Sequence, residues 1–313
     1  MSIESEMLEA ARRGGRLLGK PLAGMESFLL GRICDDGGFA SPAGSTDLYY
    51  TMFGIESMAA IGVGVPGEKL RPYLDAFGTG DTLDLVHLAC LVRCLRQLEK
   101  KGTRCQLGGR LPACTSRAKH KPAGLAVKAP RLAENIEKFR AEGGGYSHLP
   151  ACGPATAYGC FLAAGAYQDL GLEIPRPGGI AAKIGGMLRE DGSYGNVTTA
   201  AGTTPSTAAA VTALAALGQR PPDKTARWLL ERRCNEGGFT AAAGLPQPDL
   251  LSTAVTLHAL WVIGGPSGPD DKTRAFVLDH RTEGGGFHGG PGSVEDCEYT
   301  FYGLLALGHL GGS

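Results

Sequence analysis

Five short turns, each an acid or amide followed by glycines and one aromatic residue, constrain this chain more than any other feature. They read DDGGF (Asp35 to Phe39), EGGGY (Glu142 to Tyr146), EDGSY (Glu190 to Tyr194), NEGGF (Asn235 to Phe239) and EGGGF (Glu283 to Phe287). Tyr146, Tyr194, Phe239 and Phe287 lie 48, 45 and 48 residues apart. Phe39 precedes Tyr146 by 107 residues, which leaves room for one degenerate copy at FGTGDTLDLVHLACLVRCL, Phe77 to Leu95. Six copies therefore fill the chain, and a period of this length marks a repeat architecture whose single units cannot bury their own apolar faces.

Each copy carries two kinds of helix. The segment before a turn, such as PPDKTARWLLERR (Pro221 to Arg233) or GPDDKTRAFVLDHR (Gly268 to Arg281), is amphipathic, with early acids and late bases that suit the helix dipole. The segment after a turn, such as PSTAAAVTALAALG or DLLSTAVTLHALWVIG, is small or apolar nearly all round. Ser, Thr or Asp stands at its start as N-cap and Gly at its end as stop. A helix without a polar face is buried on every side. Six alternations give an inner ring wrapped by an outer ring: an all-α fold, one (α/α)6 barrel over residues 1–313. The terminal copies are as apolar as the middle ones, so closure of the last repeat on the first is expected rather than an open solenoid. Residues 3–18 read as a short amphipathic lead-in helix.

Lys plus Arg equals Asp plus Glu at 31 each, which gives no ground for a nucleic-acid or membrane-surface partner. The nine cysteines are scattered without a CxxC pair, and no apolar run reaches transmembrane length. A reduced, cytoplasmic protein without a transmembrane segment is the expectation. One stretch breaks the pattern: from Lys100 to Arg131 there are nine Lys or Arg and no acid. It reads as a basic insertion loop, either solvated or folded as a flap over the barrel mouth to meet an anionic ligand or partner.

The stretch GGFHGGPGSVEDCEYTFYGLLALG resembles the signature repeat of protein prenyltransferase β subunits, most closely the type II geranylgeranyl class. The first copy, SPAGSTDLYYTMFGIESMAAIG, resembles that family's last repeat. Squalene-hopene and other class II terpene cyclases share the barrel more distantly. The resemblance implies an isoprenoid-handling enzyme of the transferase kind, with a helical α subunit as a further partner. It also implies one zinc, or another divalent cation, whose Asp, Cys and His ligands fall on Asp296, Glu298 and Tyr50. The family's diphosphate-binding cations fall on Gly290 and Ser293, and its following tyrosine is kept as Tyr299.

The cyclase resemblance offers a different acid site. Ser293-Val294-Glu295-Asp296 is the nearest match to the cyclases' acidic motif, so Glu295 or Asp296 would donate the proton. A third outcome is a toroid without chemistry that binds a ligand or protein partner. Glu295, Asp296 and Glu298 are thus the candidate catalytic acids, with Asp296 and Glu298 the candidate metal ligands. Tyr49, Tyr50, Tyr158, Tyr299 and Tyr302, at or near the starts of inner helices, are expected to line a cavity for an isoprenoid or other apolar small molecule. His87 and His258 read as core histidines. Barrel closure should bring Tyr50 and Glu298 together across 248 residues of sequence.

Overall fold

The structure, a computed structural model, describes residues 2–19, 22–101, 124–148, 153–265 and 270–311. After a leading helix α1 (Ile3–Leu18), the outer helices are α2 (Leu22–Gly31), α4 (Gly67–Asp75), α6 (Leu125–Glu137), α8 (Pro177–Gly185), α10 (Asp223–Leu230) and α12 (Asp271–Asp279). They alternate with inner helices α3 (Leu48–Ala60), α5 (Leu85–Lys101), α7 (Ala157–Leu170), α9 (Thr204–Ala216), α11 (Leu250–Val262) and α13 (Cys297–Leu310). Each inner helix packs on the next, and α13 packs back on α3, so the ring is closed. No helix among the described residues is long and apolar enough to cross a membrane.

The repeated turn is the joint of every well-formed hairpin. Phe39, Tyr146, Tyr194, Phe239 and Phe287 are all buried. Each forms an antiparallel bridge to the residue six positions earlier, at the end of the outer helix: Ile33, Arg140, Leu188, Arg233 and Arg281. The aromatic's own N–H is then taken by a side chain in the first turn of the following inner helix. Thr51, Thr207, Thr253 and Thr300 accept it through Oγ1 at 2.9, 2.9, 2.9 and 3.1 Å. In the second well-formed copy Cys160 Sγ takes the threonine's place at 3.4 Å. Two copies extend the joint into two-residue antiparallel hairpins, β1 (Phe39–Ala40) with β2 (Thr46–Asp47), and β3 (Phe239–Thr240) with β4 (Pro248–Asp249). The degenerate copy keeps the helical pair α4 and α5 but has only a half-buried Phe77 and no such bridge.

Asp47, Thr156, Thr203, Asp249 and Asp296 cap the inner helices α3, α7, α9, α11 and α13, each accepting backbone N–H groups of the first turn. These caps satisfy donors that have no partner within the helix. They also place the inner-helix starts at one end of the ring, beside the glycine turns.

The helix over residues 3–18 is more than a lead-in. It lies across the opposite end of the ring, where the inner helices finish. Its Ile3 N–H donates to Gln168 Oε1 on α7 at 2.9 Å, and Glu4 accepts from Gln97 and Lys100 on α5 at 2.6 and 2.5 Å. Farther along, Gly14 meets Leu304 and Gly308 of α13, and Gly15 meets Ala60 of α3. At 1.5 Å per residue a 16-residue helix is about 24 Å long, enough to bridge the ring. It therefore plugs the barrel floor.

The basic stretch needs a correction at both ends. Lys100 belongs to α5, where burial of Glu4 gives it an ion-pair partner, and Leu125–Glu137 is the outer helix α6. Lys128 pairs with Asp75 at 3.0 Å and Arg131 with Asp81 at 2.7 Å, so two of the charges tie α6 to neighbouring segments. Arg110, Lys119 and Lys121 lie outside the described residues.

The plug depends on close backbone approach. A Cβ on Gly308 would sit 1.7 Å from the Ala10 carbonyl oxygen, a clash only helix separation can relieve. Gly308→Ala should therefore cost roughly 1–3 kcal/mol, the usual penalty of overpacking, and lower the melting temperature by several degrees. Gly31→Ala, at a position with nothing within 4 Å, should leave it unchanged. Thermal denaturation of the two variants side by side checks this; equal melting temperatures would mean that α1 is not held against α13.

Candidate active site

Closure of α13 on α3 brings the first turns of the two helices together, and with them the acid that matters most. Tyr49 Oη donates to Glu298 Oε1 at 2.6 Å, across 249 residues of sequence. Tyr50, the residue expected here, lies close enough for Asp296 and Glu298 to act on its phenol. Burial first, then the charges of those two acids, push it up to about 12. The partner in contact is its neighbour, because Tyr49 is the residue whose side chain turns into the ring.

Inside the ring lies a cavity of about 340 Å³, within the range typical of small-molecule sites. Tyr49, Tyr158, Phe161 and Tyr302 form its aromatic wall, with Glu298 beside them. Leu251, Val255, Ala208 and Leu305 supply an apolar side, and Asn196, Thr203 and Ser206 a polar edge. No lysine or arginine lines it among the described residues.

The expected tyrosines divide. Tyr49, Tyr158 and Tyr302 line the cavity, whereas Tyr50 and Tyr299 do not; the Tyr299 ring lies over Gly289 in the loop before α13.

The three acids divide as well. Glu298 is bonded to Tyr49 through Oε1 and lines the cavity. Burial pushes its carboxyl up to about 7, the Tyr49 hydrogen bond opposing and the Asp296 charge adding to the rise. Asp296 is buried, but its Oδ1 is committed to the Tyr299 N–H at 2.8 Å as the cap of α13, and burial raises its pKa against that bond. Glu295 is not in the cavity lining. Its carboxylate accepts from the Thr282 hydroxyl and, at 3.0 Å, from the Gly286 N–H, so it braces the glycine turn.

The residues at the implied zinc position do not fit that ion well. Asp296 caps its helix, Glu298 holds a phenol, and Cys297 is buried with its thiol pushed up to about 12 by burial. Among the described residues no three His, Cys, Asp or Glu side chains gather into a group that could hold a metal. At the implied diphosphate position, Ser293 Oγ is engaged with the N–H groups of Gly289 and Gly290 at 3.1 and 3.0 Å.

The two histidines divide. His87 is partly exposed, its Nδ1 2.9 Å from Asp84 Oδ1 and its Nε2 4.0 Å from Asp47. His258 is buried as expected and lines the cavity, but only Nδ1 is engaged, 3.2 Å from His309 Nε2. Burial lowers its pKa to about 4, so it is neutral, and its Nε2 has no partner.

Residues 127–313 match the sequence profile of the prenyltransferase alpha-alpha toroid domain. No curated protein matches the sequence. Among solved structures, the chain is similar to Candida albicans protein geranylgeranyltransferase-I complexed with GGPP, at 14% identity and a TM-score of 0.54, covering 95% of this chain and 89% of that one. It is similar to the type II terpene cyclase MstE from Scytonema at 14% identity and 0.58, covering 95% and 98%. A variant of that cyclase was solved with geranylgeranyl dihydroxybenzoate as substrate. A protein from Actinoplanes is similar at 17% identity and 0.57, covering 97% and 98%. At these identities the likeness concerns the fold.

The raised carboxyl of Glu298 has a consequence for stability. Below the ordinary carboxyl range near 4.5 the group is protonated both folded and unfolded, and it costs nothing. Between there and about 7 the folded chain holds the extra proton, so stability falls as pH rises; above about 7 the loss is complete. Glu298→Gln should therefore match the parent chain at pH 5 and melt at a higher temperature at pH 8. Parallel melting curves at both pH values would mean that the carboxylate is solvated.

Proposed function

The chain belongs to the prenyltransferase α/α-toroid family, and from that premise we propose that it is an enzyme that initiates reaction of an isoprenoid by protonating an alkene, in the manner of a type II terpene cyclase. The carrying observation is Glu298: a carboxyl held by the Tyr49 hydroxyl through one oxygen, pushed up to about 7 by burial, beside an aromatic cavity. Near neutral pH much of it is protonated, as a general acid must be.

In the proposed step the alkene's π electrons take the proton from Glu298 Oε2, forming a C–H bond and leaving a tertiary carbocation. The electron pair stays on the carboxylate. Tyr49 already donates to Oε1, so the developing negative charge meets a hydrogen bond that needs no rearrangement. Rings of Tyr49, Tyr158, Phe161 and Tyr302 present π faces to the cation, each contact worth about 0.5–2 kcal/mol. Attack by an internal alkene and loss of a proton to solvent or a base complete an isomerisation, and Glu298 is reprotonated.

The transferase alternative is supported less well. Transfer from a prenyl diphosphate calls for cations or backbone donors at the leaving group, and the described lining offers a carboxyl instead. In that alternative the missing charge would come from the basic stretch or from a helical partner subunit.

The test is incubation of the purified chain with geranylgeranyl and farnesyl substrates in D₂O. Cyclised product should carry one deuterium, and activity should fall as pH rises through about 7. Glu298→Gln should lower turnover by at least about 100-fold, the lower bound for a lost general acid. Undiminished turnover in that variant, or release of diphosphate with transfer to a peptide thiol, would overturn the reading.

A further inference from the structure

Glu298 chemistry leaves unused a second polar cluster, at the barrel floor. Glu56 follows Tyr49 by seven residues on α3, two helical turns, which puts it on nearly the same face and about 10 Å deeper. It borders a smaller space of about 90 Å³ together with Arg93 of α5 and Asp169 of α7. That space adjoins the main cavity across side chains common to both, including Met7, Tyr158 and Tyr302.

The cluster's protein bonds leave a defined remainder. Gln97 Nε2 donates to Glu56 Oε1 and to Glu4 Oε1, both at 2.6 Å, and Lys100 is paired with the other oxygen of Glu4. Arg93 Nε donates to Asp169 Oδ2 at 2.5 Å. Glu56 is 1% exposed, yet its Oε2 has no hydrogen-bond partner. Arg93 has spent only Nε, and the absence of a side chain at Gly165 keeps the space beside its Nη2 open, since a Cβ there would sit 3.5 Å away. An unpartnered buried carboxyl oxygen costs about 1–3 kcal/mol unless something meets it. A site that holds a donor and an acceptor around an open space is shaped for a ligand atom able to serve both.

Charge narrows the ligand. Arg93 and Lys100 are matched by Asp169 and Glu4, and burial pushes Glu56 up to about 7. A carboxylate or phosphate entering here would face Asp169 without a free cation, and an ammonium would face Arg93. A hydroxyl fits: its oxygen accepts from Arg93 and its proton goes to Glu56 Oε2.

We infer that the floor is a head-group subsite for a single hydroxyl of the isoprenoid ligand, held between Glu56 and Arg93 with the chain rising past Met7 and the tyrosines. The far alkene of such a ligand then lies at the Glu298 end. The inference rests on the isoprenoid reading of the main cavity and adds the orientation and the polar function of the ligand. The competing occupant is water, for which a space of this size is sufficient.

Calorimetric binding of geranylgeraniol is compared with the hydrocarbon of the same skeleton in which a methyl group replaces the hydroxymethyl. The parent chain should bind the alcohol about tenfold tighter or more, the effect of about 1.4 kcal/mol. Glu56→Leu should bring the ratio to near one while hydrocarbon affinity is retained, and Glu56→Gln, which keeps hydrogen-bonding capacity, should preserve a preference. If Glu56→Leu does not fold, Gly165→Val fills the same space from the opposite wall and should remove the preference in its place. Equal binding of the two ligands by the parent chain, or a preference that survives Glu56→Leu or Gly165→Val, means that the floor holds water, and overturns the subsite alone. Failure of both ligands to bind the parent chain overturns the subsite together with the isoprenoid reading.

Discussion

The fold depends on one buried hydrogen bond made five times over. In each well-formed repeat an aromatic residue is buried at the joint between outer and inner helix, and its N–H would be stranded there without a partner. A threonine hydroxyl, or once a cysteine thiol, takes it from the first turn of the inner helix. In three copies the same threonine hydroxyl donates on to the carbonyl of the capping aspartate at 2.6 or 2.7 Å. The aromatic, the turn and the cap are thereby locked into one unit, and the angle between paired helices is fixed. A closed ring of six needs that angle repeated, because error accumulates around the circle and falls on the α13–α3 contact. That contact is where Tyr49 and Glu298 meet. The acid's environment is thus a product of ring closure rather than of any local motif.

Plugging the ring with α1 has an electrostatic consequence. It seals the floor with Glu4, Gln97 and Lys100, and so places Glu56 where water is scarce. Both ends of the cavity system then carry a carboxyl raised to about 7 by burial. At Glu56 the nearby Arg93 charge opposes the rise without reversing it, and at Glu298 the Tyr49 hydrogen bond does the same. The interior tolerates this because each acid keeps one good hydrogen bond, from Gln97 or from Tyr49.

The six-repeat barrel, the two classes of helix and the capping residues were legible in the sequence, since all follow from glycine-aromatic spacing and from helices without a polar face. The site was only partly legible. Asp296 and Glu298 could be singled out as acids at a helix start, but which of them faces the interior depends on a rotation of about 100° per residue around α13. The same rotation on α3 decides for Tyr49 over Tyr50, whereas Glu295 precedes α13 in non-helical chain and reaches the glycine turn from there. Glu56, Arg93 and Asp169 left a fainter signal: Glu56 and Asp169 are lone charges inside the otherwise apolar α3 and α7, and Arg93 interrupts the apolar first half of α5. Each reads as an interruption of the pattern until closure shows that the three share one floor. The role of residues 3–18 was hidden for a different reason: amphipathicity predicts a buried face but not what covers it. Here the closeness of Gly14 and Gly308 to the opposing backbones supplies the answer.

The mouth of the barrel bears on ligand charge from the other end. The inner helices all begin there, and the partial positive charges of their N-termini would by themselves attract an anion. Four of those termini are instead capped by Asp47, Asp84, Asp249 and Asp296, whose carboxylates accept the first-turn N–H groups that a diphosphate would otherwise use. Glu298 adds a fifth acid within the first turn of α13. The same N-caps that make the helices start cleanly therefore remove the anion-binding character that a ring of helix starts would have. A neutral ligand loses nothing to them. In the proposed reading such a ligand, threaded through this mouth, meets an acid, then aromatic walls, then a floor with one donor and one acceptor unspent, and only that floor calls for an oxygen on it.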